Sequence, residues 1–157
     1  HILRTHVHAL DEDDCAALAA RTAATLLTPA VDSVVPVGST REQTREHVVF
    51  GSEVMRILAT PGTPPCCLSY LWRDRVFCGD AFDVVSCAAG IEADPGRMYD
   101  SLTTRLFTLP GETLVFPAHP IDGRRVATLA ELRSKQAQYG NRDGFINAME
   151  ALRRQAA

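Results

Sequence analysis

Several things are scarce in this chain of 157 residues, and each scarcity narrows the field. Lysine is nearly absent, with Lys135 the only one, and no tract dense in lysine or arginine occurs. A nucleic-acid-binding face built on clustered basic charge is therefore not expected. No apolar run approaches the roughly 18–20 residues needed to span a bilayer, so no transmembrane helix is expected. Cysteine is sparse and its spacing is not that of a disulfide framework. The five residues Cys15, Cys66, Cys67, Cys78 and Cys87 are odd in number and contain no Cys-x-x-Cys pair. They read as free thiols in a reducing compartment, which makes a cytoplasmic location the expectation. No secretory signal is visible, although the chain starts at His1 and a targeting segment upstream stays an open alternative. Internal repeats and low-complexity tracts are lacking as well.

What remains is an ordinary globular composition, 46% hydrophobic and 22% charged with a formal net charge of -3. Length and composition predict one domain over residues 1–157 with one core. Ile2 to His8 reads as a strand, and Asp11 to Asp14 as the acidic start of a helix running to about Leu27. Val31 to Val37 is a short β-rich run. Val48–Phe50 and Val54–Ala59 flank Gly51-Ser52 as a hairpin, and Cys67–Trp72 and Arg75–Cys78 flank Arg73-Asp74 as a second. A helix is expected from about Met98 to Leu109 and a strand from Glu112 to Phe116. From Ala127 onward the pattern is mostly helical. Helices alternating with strands and hairpins predict an α/β fold with a mixed sheet. A first strand with nothing before it needs neighbours, so an upstream portion of the same domain is expected.

His6 and His8 stand one residue apart in Arg4-Thr-His-Val-His-Ala9. On a strand, alternate side chains share a face, so both imidazoles project together. Imidazole nitrogen is a common ligand for zinc and iron, which makes the pair half of a metal site. Two more candidates sit where apolar strands give way to loops. Asp80 follows Val76-Phe-Cys-Gly79, and His119 follows Val115-Phe-Pro-Ala118. Singly, a histidine in a loop is usually just solvated and an aspartate after glycine is a turn former. Four such groups at strand ends are harder to explain that way, because strand ends in α/β folds gather ligands.

The order of these motifs resembles the metallo-β-lactamase superfamily. Thr5-His-Val-His8, Ala59-Thr-Pro-Gly62, Gly79-Asp-Ala81 and Phe116-Pro-Ala-His119 are laid out as in that superfamily. The branch most similar is that of the persulfide dioxygenases, relatives of glyoxalase II. Tyr99-Asp-Ser-Leu102, Leu106-Phe-Thr-Leu-Pro110, Thr113-Leu-Val-Phe-Pro117 and Gly123-Arg-Arg-Val-Ala-Thr128 carry that closer likeness. The resemblance implies a four-layer αβ/βα sandwich, here lacking its N-terminal strands, with a metal at the sheet edges. It implies a metal held at the positions of His6, Thr63 and Asp80, with His119 as a nearby catalytic, proton-handling group. With threonine at position 63, a set of two histidines and one carboxylate can still be assembled from His6, His8 and Asp80, provided that His8 takes a role the family gives to another residue. Fe(II) is the implied metal, with zinc and a metal-free form as alternatives.

The chain also departs from the family pattern. Leu10 and Asp11 replace the aspartate and histidine that complete the first motif, and Thr63 stands where a histidine is expected after Pro-Gly. Ala89, within Cys87-Ala-Ala-Gly90, replaces an arginine near the substrate. Leucine cannot ligate a metal, and threonine is a poor substitute for imidazole. Cys66 or Cys67 in place of the lost histidine, and Asp11 as a carboxylate ligand, are alternatives. Against them, Pro64 and Pro65 stiffen the loop, buried thiols commonly serve as small apolar side chains, and Asp11 suits a helix N-terminus.

Three functions follow as expectations. The first is a persulfide dioxygenase-like protein with an eroded metal site, oxidising glutathione or another thiol persulfide to sulfite if active. The second is an inactive binding or scaffold module of the same fold. The third is a glyoxalase II-like thioester hydrolase. A homodimer, which an exposed sheet edge would favour, and a rhodanese-type partner domain are open alternatives for protein partners.

Overall fold

The computed structural model describes residues 1–6, 12–29, 46–62, 67–82 and 93–156. Among them, β1 (Ile2–Leu3), α1 (Glu12–Thr22) and β2 (Leu26–Leu27) form a small unit in which β1 and β2 pair in parallel. A parallel pair needs a crossover, and α1 supplies it. The helix ends at Thr22, five residues short of the sequence expectation. The Thr22 hydroxyl donates back to the Leu18 carbonyl, and Ala23 takes a left-handed φ of 53°. Leu26 and Leu27, read from their apolarity as the last helical turn, instead pair with Ile2 and Leu3. The first strand is likewise shorter than expected, since the described residues keep strand pairing only at Ile2–Leu3. Val7 and His8 lie outside the described residues, as does the run Val31–Val37.

The main sheet has six strands in sequence order: β3 (His47–Phe50), β4 (Glu53–Ala59), β5 (Leu68–Trp72), β6 (Arg75–Gly79), β7 (Leu114–Pro117) and β8 (Ala127–Thr128). Both predicted hairpins form. Gly51 (φ 60°) turns the first, and Arg73 (φ 53°) turns the second. All neighbours are antiparallel except β6 and β7. That parallel pair is bridged by α2 (Pro95–Ser101) and a turn of π-helix over Leu102–Leu106.

The α2 helix starts three residues before the expected Met98. Asp94 caps it, its Oδ1 accepting from the Arg97 amide at 3.0 Å, and Pro95 occupies the first turn, where no amide partner is needed. Its C-terminal extension is not α-helical. Thr103 and Thr104 donate to the carbonyls of Tyr99 and Asp100, which competes with regular i to i−4 pairing. The last helices are α3 (Leu129–Ala137), capped by Thr128, and α4 (Arg142–Ala156).

One face of the sheet packs on these helices. Leu58, Val76, Cys78 and Val115 meet Met98, Leu102, Leu106, Leu129, Leu132, Phe145 and Met149 in a continuous buried core. Phe145 is fully buried between Tyr99 and Tyr139, with ring centroids at 5.6 and 5.7 Å. Each such side chain contributes about 2–3 kcal/mol of burial, enough to fix the helices and, through them, the strand ends. On the opposite face, Tyr70, Phe77 and Phe116 align across β5, β6 and β7. Residues 4 and 5 run against β5 there. The Leu68 amide donates to the Thr5 carbonyl at 2.7 Å, and the Tyr70 hydroxyl donates to the Arg4 carbonyl at 2.6 Å.

Candidate metal centre

Two strand ends bring Asp80 and His119 together. Because β6 and β7 run parallel, their C-terminal ends lie side by side, and the Ala118 amide donates to the Gly79 carbonyl at 3.0 Å. The pairing register shifts between Phe77 and Gly79, and Gly79 has φ 57°. This bulge re-aims the chain at the residue just before Asp80. The Cys78 thiol, fully buried, donates to the Phe82 carbonyl at 3.5 Å and helps hold the turn that follows. A buried thiol here is thus a structural group beside the site.

His6 arrives from the other direction, carried by the segment docked on β5. Its Nε2 lies 3.3 Å from Asp80 Oδ2, and His119 Nε2 lies 3.6 Å from Asp80 Oδ1. The carboxylate therefore stands between two imidazoles, one on each oxygen. His6 and Asp80 are mostly covered, with 12% and 16% of their side-chain surface exposed, whereas His119 is 75% exposed. The centre has a sheltered pair and an open third member.

The His6–Asp80 spacing is longer than the 2.7–2.9 Å of a strong charge-assisted hydrogen bond. Two donors bonded to one ion at about 2.1 Å lie roughly 3.0–3.4 Å apart for octahedral or tetrahedral angles. On that measure His6 Nε2 and Asp80 Oδ2 fit as neighbouring ligands of one cation. Among the described residues no group of three or more histidine, cysteine, aspartate or glutamate side chains is arranged to hold a metal ion. The described residues thus supply two fitting donors, with His119 on the far oxygen of the carboxylate. His8, Leu10, Asp11, Thr63, Cys66, Cys87 and Ala89 lie outside the described residues.

The approach to position 63 is described. Pro61 and Gly62 are clamped on α2, where the Ser101 hydroxyl donates to the Pro61 carbonyl at 2.6 Å and the Asp94 amide to the Gly62 carbonyl at 2.8 Å. Gly62 has φ 143°, and a Cβ there would come within 2.5 Å of Met98. Cys67 is buried. Sequence reasoning missed Thr5, whose Oγ1 lies 2.9 Å from His6 Nδ1. The available signal was its adjacency to His6, since a ligating imidazole usually has a partner on its second nitrogen.

No family model matches the chain. A crystal structure of ETHE1 from Myxococcus xanthus superposes with a TM-score of 0.80 at 39% identity, covering 97% of this chain and 68% of that one. The chain belongs to the metallo-β-lactamase superfamily, in its persulfide dioxygenase and glyoxalase II-like branch. Persulfide dioxygenase ETHE1 of Bos taurus is 32% identical over 113 residues, which are 68% of this chain and 44% of that protein. The match therefore spans less than half the length of that relative. A metallo-β-lactamase from Staphylococcus aureus matches in fold alone, with a TM-score of 0.74 at 20% identity over 94% of this chain and 50% of that one. The six-stranded sheet with α2, α3 and α4, joined by the β1–α1–β2 unit, is accordingly a metallo-β-lactamase fold. No helix among the described residues is long and apolar enough to cross a membrane.

Proposed function

We propose that this chain is a persulfide dioxygenase-like protein whose metal site is eroded, so that its activity is weak or lost. The observation that carries the reading is the row His6–Asp80–His119, with spacings of 3.3 and 3.6 Å at the ends of three converging segments. The substrate would be glutathione persulfide or another thiol persulfide. The balanced reaction takes one persulfide, one dioxygen and one water to thiol, sulfite and two protons. His6 and Asp80, with His8 as a third ligand, would hold the metal, Fe(II) in first place and zinc in second. Fe(II), when bound, would supply a binding point for sulfur and dioxygen and the redox chemistry that dioxygen activation needs, which zinc, being redox-inert, would not. His119 is open to solvent and its Nε2 lies 3.6 Å from Asp80 Oδ1, a position suited to taking a released proton from the substrate to bulk water. The His6–Asp80 pair is mostly covered, so one side of the site is sheltered from solvent.

A second reading, an inactive binding module of the same fold, draws on the sequence. Thr63 and Leu10 remove two side chains of the family's metal set, and Ala89 removes the arginine near the substrate. Protein purified without chelator separates the two. Iron bound at about one per chain and lost on Asp80→Ala, with oxygen uptake on adding glutathione persulfide, supports the enzyme. A folded protein that takes up neither iron nor oxygen supports the module.

A further inference from the structure

We propose that Thr5 is a positioning residue for His6, its hydroxyl holding the imidazole by Nδ1 so that Nε2 is aimed at Asp80. The observations lie on both sides of Thr5. Its Oγ1 is 2.9 Å from His6 Nδ1, and the same ring reaches Asp80 Oδ2 with Nε2 at 3.3 Å. An imidazole flipped about its Cβ–Cγ bond would carry Cδ2 to the hydroxyl and Cε1 to the carboxylate, so the Thr5 contact discriminates between two rings of nearly equal shape.

Thr5 is itself fixed in three ways. Its carbonyl accepts from the Leu68 amide at 2.7 Å, which locks the backbone to β5. Its β-branched side chain has few rotamers. That side chain also fills the space over Gly79, where an added Cβ would lie 2.6 Å from both Thr5 Cβ and Oγ1. Gly79 immediately precedes Asp80, so one contact sets the two donors against each other. The absence of a side chain at residue 79 lets the hydroxyl sit where it can hold His6.

The consequence for metal affinity rests on the proposed metal-binding function, whereas the ring orientation does not. Thr5→Val keeps the shape and removes the hydroxyl, and Thr5→Ser keeps the hydroxyl. The full chain, stripped of metal and labelled with nitrogen-15, is compared for wild type and both variants through the imidazole nitrogen resonances of His6. The same proteins are then titrated with Zn(II). The Nδ1 resonance is expected to move in Thr5→Val and to return in Thr5→Ser, with unchanged circular dichroism. Zinc affinity should fall roughly 10-fold or more in Thr5→Val and recover in Thr5→Ser, the range seen when a partner of a ligating histidine is removed.

An Nδ1 resonance unmoved by Thr5→Val overturns the proposal whether or not zinc binds. A moved resonance in a protein that takes up neither zinc nor, in an anaerobic titration, Fe(II) supports the positioning role and overturns the metal reading. Zinc affinity equal in wild type and Thr5→Val overturns the positioning role while leaving the metal reading intact. If Thr5→Val does not fold, Thr5→Ala carries the same comparison.

Discussion

Removing one oxygen atom from the sheet, by Tyr70→Phe, tests how the segment bearing His6 is held. Tyr70 is 2% exposed, and its hydroxyl donates to the Arg4 carbonyl at 2.6 Å, two residues before His6. Phenylalanine fills the same space, so no cavity opens, and the loss is that of one hydrogen bond and of the donor to a covered carbonyl. Such a loss costs about 1–2 kcal/mol, and for a chain of this size each kcal/mol lowers Tm by about 2–4 °C. The same substitution removes a pH dependence. Burial pushes the Tyr70 hydroxyl up to about 12 from an ordinary 10. In the folded state the neutral phenol is therefore retained over a range where the unfolded chain has already ionised. The stability this provides is complete below pH 10 and is lost as pH rises through about 12. At 1.4 kcal/mol per tenfold change in proton affinity, the loss is roughly 3 kcal/mol. Paired urea titrations of wild type and Tyr70→Phe at pH 8 and pH 11 measure both effects. Wild type should lose more stability between the two pH values than the variant. Equal losses, or a variant as stable as wild type at pH 8, would refute the role of the Tyr70–Arg4 bond.

Three further outcomes are expected. Thr63→His should raise iron or zinc affinity by at least roughly 10-fold, because the Pro61-Gly62 approach is already clamped on α2. Side-by-side metal titrations check this, and equal affinities would count against an incomplete site. Gly79→Ala should lower both stability, by about 1–3 kcal/mol, and metal uptake, since its φ is 57° and its Cβ would collide with Thr5. Denaturant unfolding and a zinc titration of the variant report the two losses. Phe145→Ala should cost about 3–5 kcal/mol of stability, read from its denaturation midpoint, because a fully buried ring between Tyr99 and Tyr139 leaves a void on removal.

Much of the architecture is legible in the sequence where local chemistry decides it. The hairpins at Gly51-Ser52 and Arg73-Asp74 are bounded by turn residues and alternating apolar positions, and both form as expected. The mostly helical pattern expected from Ala127 onward likewise appears, as α3 and α4. Errors occur where a local signal is overruled. Leu26 and Leu27 look like a helix end but serve as strand partners for Ile2 and Leu3, a pairing across more than twenty residues. The cap Asp94-Pro95 is a readable start signal for α2 that outweighs the apolar spacing beginning at Met98. The π-turn at Leu102–Leu106 is marked in the sequence only by the pair Thr103-Thr104, whose back-bonding to Tyr99 and Asp100 the apolar spacing does not reveal. At the centre, His6, Asp80 and His119 are legible as strand-end residues in a family order. Their grouping around one carboxylate, and the hydroxyl of Thr5 on His6, are products of tertiary packing.

The bond between Tyr70 and Arg4 joins residues 66 positions apart. Both hairpins of the main sheet, by contrast, close through immediate neighbours. Contacts between distant parts of a chain cost more loop entropy to close, and so tend to form after local ones. The sheet that presents Asp80 and His119 can thus assemble first, and the docking of residues 4 and 5 on β5 would complete the site as a late step. A cation that binds only the completed site would favour that final docking, so metal in the refolding buffer should slow the undocking of this segment more than the opening of the sheet.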